Sequence, residues 1–254
     1  MQVCLFLTLI TLPILKAISL NNYPKGYVHS INDLNVYDVG SNYSNSTAIV
    51  VVYDIRGFNI SQTRIFCDRL SFEYKARVCM PDVFRGTAAP ENTSELQAWM
   101  AKVGNWSQIE KDLRTVNDQL KKDGAKKLAI LGFCFGGLQV LRACGQLSND
   151  YSAGISIHGS SLTVGEAENV LRPMMLLAAG NDLPLTDIAT VLNKKSFGSQ
   201  CEYKVYSNMR HGFASARANF SDPENVKALD DVHDKCNKFL HKILIDSATK
   251  RTNT

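Results

Sequence analysis

The 254-residue sequence has no CxxC pair and no cysteine and histidine spacing of the kind that holds zinc, so no metal site is expected, and no cofactor-binding motif stands out. It has no internal repeat, no low-complexity tract and no linker long enough to divide it, which leaves one domain. No block of like charge is present: 28 Lys and Arg are dispersed among 24 Asp and Glu for a net +4, so nucleic-acid binding is not expected. The paired lysines Lys121, Lys122, Lys126 and Lys127 flank the end of an amphipathic stretch, where cations suit the negative end of a helix dipole. No apolar run reaches the roughly 20 residues that span a bilayer.

The most apolar segment, Cys4 to Leu15, is followed by Ala17 and Ser19 at an A-x-S spacing. Residues 1–19 are therefore expected to be a secretory signal, despite the absence of Lys or Arg ahead of the apolar run; once it is removed, no membrane anchor remains. Six Asn-x-Ser/Thr sequons, at Asn42, Asn45, Asn59, Asn92, Asn105 and Asn219, agree with export, and no Lys-Asp-Glu-Leu-type tail closes the chain. Secretion is the expected destination. Of seven cysteines, Cys4 would leave with the signal; Cys67 with Cys79 or Cys201 with Cys236 are conceivable pairs, and unpaired buried thiols are the equal alternative.

What the chain does contain is a steady alternation. Ala48–Tyr53, Arg77–Met80, Leu128–Leu131, Ala153–Ile157, Met174–Ala178 and Glu202–Tyr206 read as strands. Helices are expected near 61–74, 108–123, 136–147, 185–198 and 224–245. Continuous apolar strands separated by helices define an α/β domain over 47–245, with a mostly parallel sheet covered on both faces, a preceding arm over 20–46 and a polar tail over 246–254. Ligands of such sheets bind beyond the carboxyl ends of the strands.

Three residues stand at such ends. In Leu131-Gly132-Phe133-Cys134-Phe135-Gly136-Gly137 the cysteine sits on a strand-to-helix turn with glycine two residues before and two after, the backbone of a nucleophile elbow with a thiol in place of the usual hydroxyl. Asp182 follows the strand ending at Ala178, and His211 follows the last strand, giving the order nucleophile, acid, histidine. The thiolate is the attacking form of cysteine, so a neighbouring imidazole and a helix N-terminus both suit Cys134.

Five motifs in order, Tyr53-Asp54-Ile55-Arg56-Gly57, Pro81-Asp82-Val83-Phe84-Arg85-Gly86, the Cys134 elbow, Gly180-Asn181-Asp182-Leu183-Pro184 and Arg210-His211-Gly212-Phe213, resemble the dienelactone hydrolase (carboxymethylenebutenolidase) family from about Ala48 to Leu240. The resemblance implies an α/β-hydrolase fold that opens small ester or lactone bonds through a cysteinyl thioester, with Cys134 as nucleophile, His211 as base and Asp182 as acid. The amides of Phe135 and Ile55 are the expected oxyanion donors.

Two positions depart from the family. Asp54 stands where bacterial members carry a glutamate that contacts the resting thiol; it is read either as a proton acceptor or store for the thiol, or as a structural residue. Ser215 replaces an arginine that helps those enzymes bind a substrate carboxylate, so dienelactone itself is not the expected substrate. Arg56, Arg85, Arg210 and Arg217 are candidates to take over anion binding, and His158 is a candidate to line the pocket. His29, His233 and His241 are expected at the surface. The alternative to a hydrolase is a silent binding or signalling protein on the same fold, motivated by Asp54, Ser215 and an oxidising destination for the thiol.

Overall fold

The computed structural model describes residues 24–43 and 46–246, so the expected signal segment, Asn45 and the tail beyond 246 lie outside the described residues. One eight-stranded sheet organises the chain, in the spatial order β1-β2-β4-β3-β5-β6-β7-β8. Its parallel part is β3 (Thr47–Val52), β4 (Arg77–Pro81), β5 (Lys127–Phe133), β6 (Tyr151–Ile157), β7 (Met174–Ala179) and β8 (Glu202–Tyr206). Every residue of β3 and β7 is buried, which requires cover on both faces because successive side chains point to opposite sides.

The cover comes from α1 (Ser61–Tyr74), α2 (Thr93–Val103), α3 (Trp106–Lys122), α4 (Phe135–Gln146), α5 (Val164–Asn169), α6 (Thr186–Asn193) and α7 (Pro223–His241), the last continuing into a π-helical turn, Lys242–Asp246. Asn105 starts α3 by accepting from the Ser107 N–H at 2.9 Å, and Asp222 starts α7 by accepting from the Glu224 N–H at 3.0 Å. On α3, Ile109, Leu113, Val116 and Leu120 recur at helical spacing and are buried together. Pro223 opens α7 where its missing N–H costs nothing.

Two strands and two helices go beyond the sequence expectation. The segment expected as an arm carries β1 (Tyr27–Ile31) and β2 (Leu34–Val39), which pair antiparallel, and β2 in turn pairs antiparallel with β4. Its short strands mix polar and apolar residues, β1 at the exposed edge and β2 next to it, and so lack the apolar run that marks a strand buried throughout. α2 and α5 were likewise not expected. His233 is a further correction: it is 2% exposed on the inner face of α7, its ring 4.0 Å from that of Phe66. Among the described residues all six cysteines are free, so neither conceivable disulfide is present.

The antiparallel extension is held by charge as well as by its ladder. Asp38 on β2 is fully buried and accepts from Arg77 Nε at 3.0 Å and Nη2 at 2.5 Å, and His29 Nε2 lies 3.0 Å away. The other guanidinium arm reaches Asp123 after α3 at 2.6 Å. Asp38→Ala would strand that buried arm, and the expected loss is about 3 kcal/mol, a fall in Tm of roughly 6–12 °C for a domain of this size, read by thermal unfolding.

Candidate active site

Everything at the site follows from how β5 turns into α4. Cys134 lies between them with φ 52° and ψ −112°, left-handed backbone that a residue with a side chain adopts at a cost of about 1–3 kcal/mol. Two hydrogen bonds to its own carbonyl fix it, from the Gly137 N–H at 3.0 Å and the Ser160 N–H at 2.9 Å, while its N–H donates to the Ile157 carbonyl at 3.2 Å. The flanking glycines are required by close approach. A Cβ on Gly132 would stand 2.2 Å from the Gly136 carbonyl oxygen, and one on Gly136 would stand 2.1 Å from that of Val52. The first turn of α4 is thus pressed against the end of β3.

Positive φ recurs around this turn. Arg85 at 51°, His158 at 40° and Ser161 at 57° follow β4 and β6, so the loops nearest Cys134 are held in sparsely populated conformations.

The loops after β7 and β8 supply the acid and the imidazole. Asp182 Oδ1 lies 2.6 Å from His211 Nδ1, and its Oδ2 accepts from the Ala179 N–H at 2.7 Å. Asn181 accepts from the His211 N–H at 2.7 Å, and the Gly180 N–H donates to the Met209 carbonyl at 2.9 Å, so the two loops are tied at backbone and side chain. The hydrogen bond to Asp182, then the neighbouring Cys134 sulfur, pushes the His211 pKa up to about 10 against the opposing effect of burial. Burial pushes Asp182 upward, but the bonds from His211 and the Ala179 N–H prevail, and its carboxyl stays below the usual range. The raised pKa favours the protonated ring, which is paired with the Asp182 carboxylate at 2.6 Å.

Ser160, which the sequence reading missed, completes the line. Its Oγ is 3.3 Å from Cys134 Sγ and 3.4 Å from His211 Nε2, so one hydroxyl bridges the thiol and the imidazole. The available signal was a serine directly after Gly159 at the carboxyl end of β6, the edge where ligands of such sheets bind. A cavity of about 310 Å³ opens beside Ser160 and His211, its other walls coming from the loops after β6 and β7 and from α6.

The remaining candidates have other uses. Asp54 is buried with both oxygens engaged: Oδ2 accepts from Ser215 Oγ at 2.5 Å and the Ala216 N–H at 3.2 Å, and Oδ1 from the Arg56 N–H at 2.8 Å. These bonds stitch the loop after β3 to the segment after His211. Ser215 is fully buried as the donor in that contact. The Arg85 fork is committed to Asp112, with both N–O distances 2.8 Å, so it is not free for a substrate anion. Arg56, Arg210 and Arg217 are exposed and lie outside the cavity wall.

His158 does not line the pocket either. It is fully buried, its ring 5.0 Å from His211 and 5.8 Å from Phe213, and burial together with the neighbouring His211 charge depresses its pKa to about 3. It packs beneath the imidazole as a neutral ring. Among the described residues, no group of three or more His, Cys, Asp or Glu could hold a metal ion, and no helix is long and apolar enough to cross a membrane.

A mostly parallel sheet of this order, with Cys134, Asp182 and His211 at strand ends and helices on both faces, defines an α/β-hydrolase fold. The solved structure of a dienelactone hydrolase from Anabaena variabilis superposes with a TM-score of 0.63 at 16% identity, covering 87% of this chain and 99% of that one. Est1E from Butyrivibrio proteoclasticus shares the fold at a TM-score of 0.57 and 10% identity, covering 82% and 94%. Residues 34–244 match the dienelactone hydrolase family, and the chain belongs to that family. A carboxymethylenebutenolidase homolog of Xenopus tropicalis is 27% identical over 228 residues, 87% of this chain and 92% of its own, and one of Homo sapiens is 25% identical over 84% and 89%.

The raised His211 pKa has a consequence for stability. In the unfolded chain the ring titrates near 6.5, so its contribution is fully present below that pH and is lost as pH rises through about 10. The gap in stability between wild type and His211→Gln, measured by urea unfolding, is expected to shrink steadily between pH 6.5 and 10.

Proposed function

We propose that the protein is a thiol-dependent hydrolase that opens small ester or lactone bonds through a thioester on Cys134. The observation that carries this reading is the hydrogen-bonded line from Asp182 through His211 and Ser160 to Sγ, whose Asp182, His211 and Ser160 line a cavity. Membership of the dienelactone hydrolase family supports it independently.

In this reading Sγ adds to the substrate carbonyl carbon, and the electron pair of the C=O bond moves onto oxygen. The N–H groups of Phe135 and Ile55 receive the oxyanion, one from the start of α4 and one from the facing loop. Collapse of the adduct breaks the C–O bond, and the leaving oxygen takes its proton from His211 Nε2. In a lactone that oxygen stays attached to the acyl chain. Water then gives a proton to the neutral imidazole and adds to the thioester carbonyl; the C–S bond breaks, a carboxylic acid leaves, and thiolate and imidazolium return. Asp182 holds the ring through Nδ1 and stabilises its charge at each protonation.

We also infer an exported, glycosylated protein acting on a small molecule. Exposure of the sequon asparagines Asn42, Asn59, Asn92, Asn105 and Asn219 supports this. Asn59 Oδ1 accepts from Arg64 at 2.8 Å, which leaves the amide nitrogen that carries an N-glycan.

With p-nitrophenyl acetate, Cys134→Ala is expected to lower kcat/KM by on the order of 1,000-fold or more while the fold persists by circular dichroism. Acid-quenched wild-type protein should carry one acetyl mass on the Cys134 peptide. Undiminished turnover by the alanine variant, or a silent wild type, refutes the reading.

A further inference from the structure

We infer that the cavity beside Ser160 receives the acyl group of the substrate, and that it takes an uncharged, apolar chain while rejecting one that ends in a carboxylate. This rests on the hydrolase reading and names the substrate class of the same site. The acyl group is the part covalently joined to Sγ. Ser160, whose Oγ is 3.3 Å from Sγ, lines the cavity, so a chain leaving the thioester past this residue is directed into it.

The wall is built for such a chain. Leu162 after β6, Leu183 and Leu185 after β7 and Ile188 on α6 supply its apolar surface. The polar groups that join them, from Ser156, Ser160, Ser161 and Asn181, are neutral, and Asn181 already accepts from the His211 N–H. The two charged wall residues, Asp182 and His211, are paired with each other at 2.6 Å. Neither Lys nor Arg contributes to the wall.

The arginines that sequence alone offered for an anion do not fill that gap. Arg85 is closed on Asp112, Arg56 and Arg217 face solvent outside the cavity, and the position four residues beyond His211 is a serine spent on Asp54. A carboxylate carried into this recess would shed its water, meet no cation of its own and approach the Asp182 carboxylate. At about 310 Å³ the cavity is at the small end of the ~300–1,000 Å³ range of small-molecule sites, room for a short chain.

The test compares p-nitrophenyl pentanoate with the mono-p-nitrophenyl ester of glutarate, which has the same five-carbon chain with a carboxylate at its end. The neutral ester is expected to have a kcat/KM on the order of 100-fold higher, and lengthening the acyl group from acetyl should raise kcat/KM by roughly 3- to 4-fold per methylene until the cavity is full. Leu183 is 78% exposed at the rim, so Leu183→Arg adds a cation without disturbing the core; it should narrow the discrimination at least tenfold, and Leu183→Gln should not. Equal rates on the two esters, or preference for the anion, overturn the inference.

A second readout needs no turnover. Pentanamide should protect Cys134 from iodoacetamide, and glutaramate should not. Protection by both, or by glutaramate alone, sinks the cavity assignment, whereas failure to hydrolyse any ester alongside selective protection by pentanamide would sink the hydrolase reading only.

Discussion

The strained turn at Cys134 is the constraint on which the site depends. A cysteine at φ 52° is unfavourable by itself, yet two bonds to its carbonyl and the contact of glycine backbone with the end of β3 leave the chain no relaxed alternative. The same turn sets the position of the thiol and the direction of α4. Ser160 is positioned from it as well, since its own N–H closes on the Cys134 carbonyl.

Two carboxylates, one half-buried and one buried, serve opposite ends around that turn. Asp182 is offered a histidine and one backbone N–H, so its charge is passed on to a ring that meets the thiol. Asp54 is offered a serine hydroxyl and two backbone N–H groups, so its charge is absorbed by the loops it joins. The donors each carboxylate meets set them apart. Beneath both lies His158, 3.4 Å from Ser215 Oγ and 5.0 Å from the His211 ring, a neutral floor under a charged imidazole.

The sequence made the parallel half of the sheet readable because β3, β5, β6 and β7 are buried on both faces and must be apolar throughout. Helix α1 was located at Ser61–Tyr74, where it lies, while β1 and α2 escaped because their solvent-facing sides dilute the pattern, and β2 because Asn35 and the buried Asp38 interrupt its apolar residues. Cys134, Asp182 and His211 were legible as strand-end residues in a recognisable order. Their neighbours were not. Whether Arg85 is free or paired depends on Asp112, 27 residues away, and whether Asp54 meets a thiol or a serine depends on a contact across 161 residues. Ser160 carries no signature of its own; its meaning comes from two distances.

The free cysteines bear on where such a protein can work. Cys67, Cys79, Cys144 and Cys236 are fully buried, and burial pushes each thiol well above its usual titration range, so these sulfurs behave as small apolar fillers. Among the described residues none is cross-linked, and the core owes nothing to oxidation. Among the described residues the architecture therefore rests on no cross-link, and oxidation of the elbow sulfur would block the attack proposed for it without touching these core thiols.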